Sequence, residues 1–177
     1  MFKAFVIASG PSLTEDDCAI VKSLGWTTVV TNRTFEMCPW ADYLYAYDDL
    51  FWTEYGYAAK EAFKGEFIAP RKNHATGFIY LSRPPHEDGR SSGAGAVAFA
   101  ATLADEIYLL GFDCQEVDGK RRWHGDYGKR FPSGKIPNFS KHLEDIIKKV
   151  DARVFNCTRN TQVDFIPRIE IEALRLS

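Results

Sequence analysis

Paired cysteines and long apolar runs are both missing from this chain of 177 residues. Its four cysteines, Cys18, Cys38, Cys114 and Cys157, form no C-x-x-C pair, and no histidine stands at the spacing of a zinc site. We therefore expect reduced thiols. The first apolar run, residues 5–8, is far shorter than a signal-peptide core, and no later run approaches the roughly 20 apolar residues of a membrane span. The sequence thus predicts a soluble, unexported protein of the cytoplasm.

An excess of charge of one sign is also absent. The chain has 22 basic and 24 acidic residues, a formal net charge of -2, so its overall field gives no strong signal for a nucleic-acid partner. No P-loop lysine follows a glycine-rich stretch, which argues against a P-loop kinase. Hydrophobic residues make up 45% of the chain, enough for one sizeable core. We therefore predict a single domain over residues 1–177.

Apolar runs of strand length alternate with helical patterns along the chain. The first unit is a strand over residues 2–8 and a helix that begins with a capping box at Thr14 and Asp17 and ends at Gly25. The later units are predicted as strands in WTTVVTN and ADYLYAY, a helix capped by Asp49 in LFWTEYGYAAKEAF, short strands in GEFIAP and TGFIYL, a helix and a strand in SSGAGAVAFAATLADEIYLLGFD, a helix in NFSKHLEDIIKKV, a strand in ARVFNC and a last short helix. This alternation predicts an α/β protein, a three-layer sandwich with a mostly parallel central sheet.

Polar residues follow several of the predicted strands. In an open parallel sheet, ligands bind beyond the carboxyl ends of the strands, where the strand order reverses. Ser9, Gly10, Pro11 and Ser12 follow the first strand, and Gly10 allows close approach of a ligand beside a helix start that favours anions. The alternative is a plain strand-to-helix turn. The other candidates at this edge of the sheet are Asn32, Asp48, Asp113 and Thr158.

Two further stretches have both a functional and a structural interpretation. In SSGAG, Ser91, Ser92 and Gly93 stand at the start of a helix whose first N–H groups can bind an anion, or the glycines only allow close helix packing. Asp48 and Asp49 offer hard oxygen ligands to magnesium, or they cap a helix. Neither motif decides between its two interpretations.

The long stretch over residues 114–137 has no regular period and is typical of an active-site loop. It contains His124, and histidine is the usual general base for a hydroxyl nucleophile. Arg121 and Lys129 in the same loop would neutralise a leaving phosphate, and Trp123 and Tyr127 could stack on a base or sugar. The alternative is a solvated basic loop. His142 lies on an amphipathic helix and is interpreted first as a surface residue, although the sequence does not decide which of the two histidines is functional.

Several stretches resemble one superfamily of nucleotide-using proteins. VIASGPSL, SSGAGAVAFAATLADEIYLLGFD and FNCTRNTQVDFIPRIEIEAL, with Asn32 after the second strand, are similar to bacterial lipooligosaccharide sialyltransferases, motility accessory factors and archaeal 6-hydroxymethylpterin pyrophosphokinases. PWADYLYAYDDLFWTEY, with HGDY and the NCT ending, resembles small proteins of tailed bacteriophages and prophages over nearly the whole chain. The resemblance implies a Rossmann-like fold in a bacterial host cell.

The resemblance also implies a function. The sialyltransferases use a cytidine monophosphate sugar, so the Gly-Pro-Ser turn would meet the donor phosphate or ribose, with Asn32 on one side and Ser92 and Gly93 on the other. This predicts a glycosyltransferase-like enzyme that requires no cofactor and whose acceptor the sequence does not identify. Two positions depart from the family: Ser9 replaces an asparagine, and His124 lies well ahead of the penultimate helix.

Two alternatives stay open. One is a magnesium-dependent pyrophosphokinase that acts on a small hydroxymethyl substrate. The other is a phage protein that binds a nucleotide without catalysis, because a fold alone does not establish an activity. The aromatic side chains in DDLFWTEYGY also suggest a face for self-association into a homo-oligomer.

Overall fold

The computed structural model describes residues 1–70, 81–82, 90–127, 130–131 and 134–176. The described residues form one parallel sheet of seven strands in the order β5-β4-β3-β2-β1-β6-β7. The strands are β1 (Lys3–Ile7), β2 (Thr27–Thr31), β3 (Tyr43–Tyr45), β4 (Glu66–Ile68), β5 (Leu81–Ser82), β6 (Glu106–Leu110) and β7 (Arg153–Asn156). The prediction of an α/β protein with a parallel sheet is confirmed.

Four helices cover the two faces of the sheet within the described residues. They are α1 (Glu15–Leu24), α2 (Asp49–Ala62), α3 (Ser92–Ala100) and α4 (Ile136–Ile147), and two 3-10 helices, Asn32–Glu36 and Ile171–Leu176, follow β2 and end the chain. Successive side chains of a strand point to opposite faces. In β1, Phe5 and Ile7 accordingly pack with α1 and α2, whereas Ala4 and Val6 pack with α3 and α4. This is the predicted three-layer sandwich.

The local signals around α1 predicted its ends correctly. The Thr14 hydroxyl accepts a hydrogen bond from the Asp17 backbone N–H at 3.1 Å, and the Asp17 carboxylate accepts one from the Thr14 N–H at 3.1 Å. Gly25 ends the helix in the left-handed conformation at φ 66°. Both interactions span a few residues, which is why the sequence alone reveals them.

Other boundaries differ from the prediction. Asp48, not Asp49, holds the N-cap position of α2. The predicted last short helix is present as a 3-10 helix over Ile171–Leu176. Most of the strand predicted in TGFIYL lies outside the described residues. The aromatic face predicted on α2 is largely internal, because Phe51 and Trp52 are buried and Tyr57 is the large apolar residue of this segment that remains exposed.

The strand order reverses between β1 and β6. β1 has β2 on one side and β6 on the other, with Ala4 paired to both Thr27 and Ile107. The turns after β1 and β6 therefore leave the sheet side by side, which is where a crevice forms in such folds. Within the described ranges, no helix has the length and apolarity needed to cross a membrane.

Candidate functional site

A cavity of about 430 Å³ opens beyond the carboxyl ends of β1, β2 and β6. Its size is in the usual range for a small-molecule site, roughly 300 to 1,000 Å³. The turn after β1, the start of α3, the loop after β6 and one side of α4 form its walls. The predicted site residues that line it are Ser9, Gly10, Pro11, Asn32, Asp48, Ser92, Gly93, Asp113 and Arg121.

Three other predicted residues are not part of this wall, and Lys129 lies outside the described residues. Two of the three, Ser12 and Thr158, make hydrogen bonds to the loop after β6. The Ser12 N–H donates to Asp113 Oδ2 at 3.0 Å, and the Thr158 hydroxyl accepts from the Phe112 N–H at 3.0 Å. Both residues therefore position the cavity wall. The third is His124.

Gly10 is required by the contact between the turns after β1 and β6. Its N–H donates to the Gly111 carbonyl at 2.8 Å. A β-carbon on Gly10 would overlap both the Gly111 carbonyl oxygen and Asp113 Oδ1. The glycine thus has a packing reason in the protein itself, in addition to its place in the cavity wall.

Asp113 combines burial with an incomplete set of hydrogen bonds. The residue is 1% exposed, and Oδ2 accepts from the Ser12 N–H. Its other oxygen, Oδ1, is buried and has no hydrogen-bond partner within the described part of the chain. Burial raises the pKa of this carboxyl, and the hydrogen bond from Ser12 opposes that shift. A buried acceptor without a partner reduces the free energy of unfolding.

One hydroxyl group connects the start of α3 to residues that follow β2 and β3. Ser92 Oγ donates to Asn32 Oδ1 at 2.9 Å and accepts from the Tyr47 N–H at 3.0 Å. Asn32 adopts φ 49°, a left-handed conformation that asparagine tolerates better than most residues. Ser92 and the next two residues also line the cavity. The first N–H groups of α3, and the positive end of its dipole, therefore lie beside the cavity.

Three arginines complete this positive region: Arg90, Arg121 and Arg122 all line the cavity. The Arg121 guanidinium donates to the Gly134 carbonyl at 2.6 Å, which holds it against the wall. The Arg122 guanidinium lies 4.9 Å from the centre of the Tyr127 ring, and burial lowers its pKa. Glu116 lies 3.9 Å from Arg121 and Asp126 lies 3.7 Å from Arg122, so part of this charge is balanced at the surface. Guanidinium groups beside a helix start favour a phosphate or carboxylate ligand.

His124 is packed behind this wall and does not line the cavity. Its Nδ1 lies 3.5 Å from an Arg33 nitrogen, and because arginine only donates, the ring proton is assigned to Nε2. Nε2 is buried and has no partner among the residues described here. Burial, together with Arg33 and Arg122, lowers the pKa of His124 to about 4. The imidazole is neutral at pH 7 and makes edge contacts with Trp123 and Tyr127.

His142, by contrast, lies in the cavity wall on α4. It is half-buried, and its Nδ1 is buried with no hydrogen-bond partner in the described ranges. Burial lowers the pKa of this imidazole, and the positive charge of Arg90 lowers it further. The structure thus places in the wall the histidine that the helical pattern suggested was a surface residue.

Aromatic residues form a further part of the wall, and of these Tyr127 is the one that the sequence indicated as able to stack on a base or sugar. Phe51, Tyr127, Phe131 and Phe139 line the cavity. The Tyr127 and Phe131 rings stack with their centres 4.6 Å apart. Such flat apolar faces suit a planar ring of a ligand. The sequence signal for this aromatic wall was the recurrence of aromatic residues in RRWHGDYGKRF, residues 121–131.

Ser91 belongs to the SSGAG helix start that the sequence indicated as an anion site, but it also lies in a motif that the sequence interpretation missed. It lines the cavity, and residues 89–93 match the G-x-S-x-G pattern of a nucleophile elbow. An elbow holds its serine on a strained turn. Ser91 instead has φ -153° and ψ 156°, ordinary extended backbone, and it is the N-cap residue of α3. We interpret it as a helix-start residue of the anion-favouring wall.

Metal ligands are sparse at the site. No group of three or more His, Cys, Asp or Glu side chains that could hold a metal occurs in the described part of the chain. Asp48 and Asp113 line the cavity, and one oxygen of Asp113 is already bonded to Ser12. Magnesium prefers six oxygen ligands, so the magnesium alternative would need most of them from a nucleotide and water.

Comparisons with protein-family models, curated proteins and solved structures found no match to this chain. The function of the protein is therefore inferred from the cavity and its walls. These walls combine a helix start, three arginines, an aromatic face and one histidine.

Proposed function

We propose that the protein is a nucleotide-dependent transferase whose donor binds in the cavity beyond β1 and β6. The observation that carries the proposal is the convergence of the first turn of α3 with Arg121 and Arg122 on one cavity. A helix start and guanidinium groups both stabilise a phosphate, by N–H groups and by charge. The aromatic face of Tyr127 and Phe131 supports a donor that also carries a planar base.

The donor class that we propose is a cytidine monophosphate sugar, because the strand-end motifs resemble sialyltransferases. In such a transfer, the bond between the sugar carbon and the phosphate oxygen breaks, and negative charge develops on the departing phosphate. Arg121, Arg122 and the N–H groups of α3 are placed to stabilise that charge. The acceptor hydroxyl forms the new bond to the sugar and gives up its proton.

The placement of the two histidines supports His142 as the base that takes this proton. It lines the cavity and its lowered pKa keeps the imidazole neutral at pH 7, as a general base requires. His124 is also neutral but lies behind the arginines, in contact with Arg33. We therefore assign His124 the role of positioning its neighbours and propose His142, in place of the expected His124, as the base.

A thermal-shift series tests the proposal. CMP, CMP-sugars, UDP, GDP and ATP would each be added with magnesium or with EDTA. A ligand at 100 times its dissociation constant stabilises the folded state by about 2.7 kcal/mol, which a melting curve detects. We expect a cytidine-selective shift that EDTA leaves unchanged. A shift with ATP that requires magnesium would favour the pyrophosphokinase, and no shift with any nucleotide would overturn the proposal.

A further inference from the structure

A second cavity, of about 370 Å³, adjoins the first. It is lined by Arg90, His142, Asp145, Lys148 and Lys149. Arg90 and His142 line both cavities. The two spaces therefore meet at a shared wall that contains the proposed base.

The second cavity is rich in positive charge. Among the described residues that line it, Arg90, Lys148 and Lys149 accompany one carboxylate, Asp145. That carboxylate lies 3.5 Å from the Lys141 ammonium, and Lys148 donates to Glu144 at 2.6 Å. When the members of these two ion pairs are included, the described cations around the cavity still outnumber the described carboxylates. Such a surface favours an anionic group.

We propose that the second cavity is the acceptor subsite and that the acceptor carries an anionic group, a phosphate or a carboxylate, close to the hydroxyl that receives the sugar. The assignment rests on the proposed function, because it is the donor cavity that makes the neighbouring space an acceptor site. An acceptor anion held by Lys148 and Lys149 would place its hydroxyl at the shared wall. His142 would then lie between donor and acceptor, where the proton must be removed.

Nuclear magnetic resonance of the histidine rings tests this subsite without any turnover. Inorganic phosphate, and separately acetate, would be titrated into the full chain with labelled histidines, in the absence and in the presence of saturating CMP. We expect a saturable shift of the His142 ring signal that persists with CMP bound. A larger response to phosphate or to acetate distinguishes the two anion classes. No saturable shift with either anion, or a shift that CMP abolishes, would overturn the proposal.

Charge-reversal variants provide the matched control. In Lys148→Glu/Lys149→Glu we expect anion affinity to fall at least 10-fold while the CMP affinity stays within about twofold. The control Lys22→Glu/Lys64→Glu makes the same change in net charge at two exposed lysines that line neither cavity, and it should leave both affinities unchanged. Equal loss in both variants would show a general charge effect and overturn the subsite.

The two proposals fail in different ways. CMP binding without anion binding would remove the acceptor subsite and leave the transferase proposal standing. Anion binding that survives saturating CMP supports the subsite. Anion binding in a protein that binds none of the nucleotides would remove the donor cavity, and with it the interpretation of the second cavity as an acceptor subsite.

Discussion

Gly10 and Asp113 approach so closely that a single methyl group on Gly10 would overlap the Asp113 carboxylate. The two residues are far apart in the chain and meet because β1 and β6 are neighbours in the sheet. Their contact joins the turns that form the floor of the candidate site. A change at this contact is therefore expected to disturb both the fold and the wall of the candidate site.

Gly10→Ala should destabilise the protein by about 2 to 4 kcal/mol, because the added methyl group must displace buried polar atoms. The matched control is Gly25→Ala. Gly25 has φ 66°, and nothing lies within 4 Å of an added β-carbon. The substitution should therefore lower the free energy of unfolding by only about 1 kcal/mol, through backbone strain. Urea unfolding measures both. Equal losses of unfolding free energy in the two variants would show that the close approach at Gly10 does not affect stability.

The pH dependence of stability should reveal the buried His124. Its pKa in the folded protein is about 4, below the ordinary 6.5, so the unfolded chain binds the proton more readily. The contribution of the neutral ring to the free energy of unfolding is fully present above pH 6.5. It decreases as the pH falls from 6.5 to about 4, because the unfolded chain takes up the proton in this interval and the folded protein does not. His124→Gln should therefore show a flatter decline of unfolding free energy over this interval. Parallel pH profiles for the two proteins would contradict the assignment.

His142→Ala should lower turnover by roughly 100- to 10,000-fold, the usual range for loss of a general base. Nucleotide affinity should change little, because the imidazole is assigned to the acceptor proton and not to the donor. His124→Ala should have the smaller effect on turnover. Activity assays with calorimetric nucleotide binding test the pair. The reverse order would make His124 the base.

Arg121→Ala should weaken nucleotide binding by roughly 10- to 100-fold, because a charged hydrogen bond to a phosphate contributes about 1.5 to 3 kcal/mol. The loss should be smaller at high salt, where the charge interaction is screened. Arg130→Ala is the control, since Arg130 is exposed, pairs with Glu54 and does not line the cavity. Calorimetry at two salt concentrations provides the comparison. If both variants lose affinity equally, Arg121 has no specific role.

The sequence by itself determined the layered architecture and the ends of α1. Buried parallel strands and amphipathic helices leave a periodic pattern, and the cap at Thr14 and Asp17 involves residues three positions apart. It also indicated the strand-end residues that lie in the cavity wall, because the ends of parallel strands collect at one edge of the sheet. All of this information is local or periodic.

Only the tertiary structure decided which histidine faces the cavity. The sequence places His124 in an irregular basic loop and His142 on an amphipathic helix, and neither setting shows which ring faces the cavity. The packing of α4 brings His142 to the wall, while Arg33, 91 positions before His124, helps to hold the latter behind it. The Ser92–Asn32 hydrogen bond likewise joins residues 60 positions apart. Such contacts depend on how whole helices and strands pack against each other. The periodicity of a single helix or strand does not reveal that packing.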